Sequence, residues 1–92
     1  MAKENTIEND ILQYLNYMGG YFWRTHSGKY PPTEKGISDI NGLRGGVFYA
    51  VEVKKPGEKP TVAQNAYMVR VRGNKGRAFV ATSVADVQEA TK

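Results

Sequence analysis

The chain has 92 residues, 40% of them apolar, with net charge +4, one His and no Cys. That length suits one modest core, so residues 1–92 are expected to form one domain. No stretch is apolar enough for a membrane span or a signal-peptide core, so a cytoplasmic setting is expected. The missing Cys excludes disulfides and thiolate sites and the lone His argues against zinc, so a bound metal would be a hard, oxygen-liganded ion such as Mg²⁺ or Mn²⁺, and the basic excess suits a polyanion.

Ile7, Ile11, Leu12, Leu15 and Met18 recur at spacings of three and four, which predicts a helix over 4–18 closed by Gly19-Gly20. Tyr21 to Thr25 reads as a strand, with Tyr21, Phe22 and Trp23 expected in the core or at a subunit interface rather than as a base-stacking platform. Residues 26–36 are polar, hold two adjacent prolines and predict a surface loop. Ile37 to Asn41 is expected to be a short strand. Gly42 to Gly46 is then a hairpin turn, and Val47 to Lys54 a second strand.

A loop over 55–60 leads to Thr61-Val62-Ala63-Gln64, a capping-box pattern that opens a helix ended by Gly73. Ala63, Ala66, Tyr67 and Val69 to Val71 are its expected apolar side. Arg77 to Ala81 reads as a strand parallel to its neighbour, and Ser83 caps a last short helix with Asp86 in its first turn. The order is α/β: helix, three strands, helix, strand, helix, around a small mixed sheet.

Chemistry concentrates in Gly36-Ile37-Ser38-Asp39-Ile40 and Val51-Glu52-Val53-Lys54. Alternation puts Glu52 and Lys54 on one face of the strand, roughly 7 Å apart at the backbone. Asp39, thirteen residues before Glu52, is brought alongside if the glycine turn reverses the chain. Two carboxylates and the Val53 carbonyl then offer a hard cation three oxygens. Such an ion activates water and stabilises charge on a phosphodiester. Lys54 has two possible roles, orienting or deprotonating the water, or neutralising developing charge. The plain alternative is a surface strand with a solvated Glu-Lys pair, and the upstream Asp39 shifts the balance towards chemistry.

These residues, with Thr61, Gln64 and the Phe79-Val80-Ala81 strand, resemble the PD-(D/E)xK nuclease superfamily. Within it the likeness is to the VRR-NUC family, particularly its small stand-alone viral-type members, and it covers nearly the whole chain. The first helix is similar to that of archaeal Holliday-junction resolvases in placing Glu8 eleven residues before Gly19. The resemblance implies a restriction-endonuclease-like αβββαβ core and a Mg²⁺- or Mn²⁺-dependent DNA endonuclease. In that reading Asp39 and Glu52 are metal ligands and Lys54 is the catalytic lysine. Ser38 departs from the Pro of the superfamily's name.

The resemblance also favours Glu8 as a further carboxylate at the metal, with Glu4 the weaker rival, and Gln64 as a partner of Lys54 or of the water. Helix-dipole and capping roles stand as the alternatives for Glu8 and Gln64. Arg24, His26, Ser27, Lys29, Tyr30 and Lys55 are candidate DNA contacts, and Lys59, Arg70, Arg72, Lys75 and Arg77 offer further positive charge. No major-groove reading helix is evident, so selectivity for branched or four-way-junction DNA is expected, by a homodimer whose two-fold axis suits such a junction. A non-catalytic nucleic-acid-binding module, or a nuclease subunit targeted by a partner, is the alternative.

Overall fold

The computed structural model of the chain describes residues 4–25 and 35–92. Its elements are α1 (Glu4–Tyr17), β1 (Tyr21–Arg24), β2 (Ile40–Arg44), β3 (Val47–Val53), α2 (Val62–Gly73), β4 (Arg77–Ala81) and α3 (Val84–Ala90). The sheet order is β1-β2-β3-β4. β1–β2 and β2–β3 are antiparallel, and β3–β4 is parallel across the α2 crossover. This is the mixed sheet and αβββαβ order expected from the pattern of apolar residues.

Alternation along β3 divides the core. Tyr49, Val51 and Val53 meet Ile11 and Leu15 of α1 and Val87 of α3 on one face. Ala50 meets Met68 of α2 and Ala78 of β4 on the other. Within α2 the fully buried residue is Met68, flanked by Tyr67 and Val71, whereas Val69 is largely exposed. The apolar side expected for this helix is therefore rotated: a 3.6-residue period carries the buried line through 67, 68 and 71 and leaves Val69 outside.

The strand expected over Ile37–Asn41 instead runs Ile40–Arg44, and only Gly45-Gly46 turns the chain. Both glycines have positive φ, as a two-residue hairpin loop requires. Gly42, assigned to the turn by composition, is a mid-strand residue paired with both Phe22 and Tyr49. The Phe22 and Tyr49 rings meet edge-to-face at 5.8 Å. A Cβ on Gly42 would fall 2.4 Å from the Phe22 ring, so the missing side chain is what admits that ring.

Candidate active site

The candidate residues gather where β3 ends, at the carboxyl ends of the parallel pair β3 and β4. That is the usual place for a ligand in an open α/β sheet. Asp39 sits one residue before β2, beyond the last ladder pair Ile40–Val51. Its carboxylate Oδ2 accepts the Val53 N–H at 2.9 Å, and its carbonyl accepts the Thr25 N–H at 2.9 Å. One residue thus ties together the ends of β1 and β3. Glu52 lies on the α2 face of β3 and is 1% exposed. Lys54 Nζ stands 3.8 Å from Glu52 Oε2, with its side chain only 15% exposed. The Lys54 N–H continues the parallel ladder to the Ala81 carbonyl.

A carboxylate this deeply buried is costly unless positive charge compensates it. The Glu52–Lys54 pair is therefore an inward-facing pair, not the solvated surface pair that Glu-x-Lys more often denotes. Asp39, bonded to the Val53 N–H, thus stands at the same end of β3 as the Glu52–Lys54 pair.

Two further candidates are placed differently. Glu8 forms an ion pair with Arg24, Oε1 to Nε 3.1 Å, so these two residues from separate candidate sets engage each other. Among the described residues no three Asp, Glu or His side chains form a group that could hold a metal. Gln64 serves the capping box: its Oε1 accepts the Thr61 N–H at 2.8 Å and its own N–H donates to Thr61 Oγ1. That occupies the amide oxygen and leaves the amide nitrogen as the end able to serve a site. Lys55 is exposed beside the cluster, while Ser27, Lys29 and Tyr30, with His26, lie outside the described residues. The carboxylates at this end of β3 are those of Asp39 and Glu52, hard oxygen donors of the kind a Mg²⁺ or Mn²⁺ ion takes.

Composition gave no notice of the residue that braces this cluster. Asn41 is 3% exposed on the α2 face of β2. Its Nδ2 donates to Thr25 Oγ1 and to the Ser38 carbonyl, and its Oδ1 accepts from the Tyr67 hydroxyl at 2.9 Å. Asn41 therefore holds the chain just before Asp39, the end of β1 and helix α2 to one another. The available signal was Asn inside a strand, a residue depleted there. Gly36 makes the second brace. With φ +74° its Cα lies so close to α2 that an added Cβ would be 2.3 Å from the Ala63 backbone. Ser38 is fully buried, and its Oγ has no hydrogen-bond partner.

Tyr21 and Trp23, expected in the core or at an interface, are 72% and 40% exposed, and only Phe22 of the three joins the core. The alternation of β1 sends Phe22 to the α1 face and its neighbours to the other, where α2 covers β3 and β4. Arg77, a candidate phosphate contact, donates to the Ala90 carbonyl and lies 5.6 Å over the Tyr49 ring. Arg72 Nε donates to the Ala78 carbonyl at 2.9 Å.

A solved structure described as a VRR_NUC domain is similar to this chain with a TM-score of 0.76 and 24% identity, over 99% of this chain and 96% of that one. No family model matches the chain, and no curated protein does. The chain shares the fold of that VRR_NUC structure along almost its whole length.

Proposed function

We propose that the protein is a nuclease of the VRR-NUC type, a metal-dependent DNA endonuclease selective for branched structures such as four-way junctions. The observation that carries the reading is the buried Glu52–Lys54 pair beside Asp39, at the carboxyl end of β3. Asp39 and Glu52 would hold Mg²⁺ or Mn²⁺, and the ion when bound supplies a water of lowered pKa and charge stabilisation on the phosphate. Asp39 is aimed by the Val53 N–H, which fixes one carboxylate oxygen. Lys54, largely shielded and drawn to Glu52, supplies positive charge to the scissile phosphate or orients the attacking water. Lys55 and the net positive charge attract the polyanion. Glu8 acts through Arg24, and Gln64 contributes through its amide nitrogen. A homodimer would present two such sites to a junction of two-fold symmetry.

The test is cleavage of junction, flap, duplex and single-stranded DNA with Mg²⁺ or Mn²⁺, beside Asp39→Ala and Lys54→Ala. Each variant should lose cleavage by at least ~100-fold while keeping DNA affinity in EDTA. A wild-type protein inert on every substrate would refute the nuclease reading and favour a binding module. Light scattering measures the mass in solution and so tests the dimer.

A further inference from the structure

We infer that the strip of the α2 face over β1 and β2, exposed among the described residues, is a stacking platform for unpaired bases that leads single-stranded nucleic acid to the Asp39–Glu52 cluster. Helix α2 lies over β3 and β4 and reaches β2 through Tyr67. The floor beside it carries Tyr21, Trp23 and Leu43, which are 72%, 40% and 44% exposed. Tyr21 pairs with Leu43 and Trp23 with Asn41, so the alternation of β1 and β2 puts all three on this face. The two aromatic rings are neighbours, with centroids 5.4 Å apart and planes at 55°.

Three observations select an unpaired strand as the occupant. Exposed aromatic rings at alternate positions of a sheet face offer flat apolar surfaces to bases, which stack on them with little regard to sequence. The flank of the strip carries one cation: a groove of about 510 Å³, lined by Ile37, Phe48, Tyr67, Arg70 and Val71, runs between it and α2. Phe48 pairs with Leu43, so floor and groove are continuous. The platform also points at the cluster. Two residues beyond Trp23, the Thr25 N–H binds the Asp39 carbonyl, and Glu52 projects from the same face of the sheet. Two strand residues span ~7 Å, roughly two base steps of a stacked strand. A base held on Trp23 therefore places its neighbouring phosphates beside the carboxylates.

The inference rests on the nuclease reading only for the choice of a polynucleotide, and its test needs no cleavage. Trp23 is the sole tryptophan, so its emission reports the platform directly. Titration of the full chain in EDTA with a dT oligonucleotide should quench that emission to saturation, whereas a blunt duplex of equal length should quench it little. Tyr21→Ala, at a largely exposed position, should weaken dT binding about ten-fold and leave duplex binding unchanged. Trp23→Leu, with folding checked by circular dichroism, should do the same by anisotropy of a labelled oligonucleotide. Unquenched emission with unaltered affinity in Tyr21→Ala would overturn the inference. So would dissociation of a dimer by Tyr21→Ala with dT affinity intact, since the strip would then be a contact between copies. Quenching by dT in a protein that cleaves nothing would support the platform and refute the nuclease.

Discussion

Asn41 has an influence out of proportion to its size. Its single amide engages Thr25, Ser38 and Tyr67, three points that surround Asp39. Replacing it with Leu leaves the Tyr67 hydroxyl and the Ser38 carbonyl without that partner in a low-dielectric setting, at a cost of about 2–3 kcal/mol. Urea unfolding of Asn41→Leu, Tyr67→Phe and the double variant should show the two losses to be non-additive, because they share one hydrogen bond. Strict additivity would mean that the amide and the hydroxyl act apart. Ser38 works in the opposite direction. Its buried Oγ makes no hydrogen bond, so Ser38→Ala should be at least as stable as the parent, by up to about 1 kcal/mol in the same assay. The placement of Asp39, Glu52 and Lys54 at one end of β3 was legible in the sequence because strand alternation and a glycine turn are local. Asn41 was not, because its partners come from residues 25, 38 and 67, which only the folded sheet assembles.

The elements followed the local signals closely, and the exception has a clear cause. β4, the α2 cap and the Ser83 cap lie where the sequence places them, because each is set by residues within one turn of itself. β2 is displaced by three residues because Gly42 carries turn chemistry in its composition but takes its conformation from the Phe22 and Tyr49 rings above it. The exposure of Tyr21 and Trp23 was likewise invisible, since it depends on how far α2 extends across the sheet. Helix α3 makes a pH-dependent contribution. Asp86 Oδ2 accepts from the Thr82 hydroxyl at 2.6 Å and from the Thr82 N–H at 2.8 Å. These bonds, the hydroxyl's first, hold the Asp86 carboxyl below its usual value. A depressed folded-state value adds stability that is present above the unfolded-state value and lost as pH falls through the folded one. Asp86→Asn should therefore melt lower than the parent at pH 7, with the gap closing below about pH 4. A gap constant from pH 7 to pH 3 would mean that the charge contributes nothing.

For the whole molecule, the charge balance suits a polyanion but does not say where one would lie, because several cations are committed internally. Arg77 and Arg72 anchor carbonyls of their own fold, and Arg24 pairs with Glu8. Lys55 stands exposed next to the cluster. In EDTA, the slope of log affinity against log salt should fall by about one on Lys55→Ala and stay unchanged on Arg77→Lys. Equal changes for both would show that the positive face is diffuse. Among the described residues no helix is long and apolar enough to cross a membrane.

The close approach at Gly36 joins two parts that the chain order keeps far apart. Backbone there rests on backbone at Ala63, with no side chain between them to yield. The segment carrying Asp39 and the first turn of α2 therefore behave as one rigid piece, bolted again by Tyr67 and Asn41. A substitution along the outer surface of α2 that tilts the helix by a fraction of an ångström re-aims the carboxylate as directly as one made beside it. In a chain this short, the helix is the lever by which selection from a distance can tune the cluster.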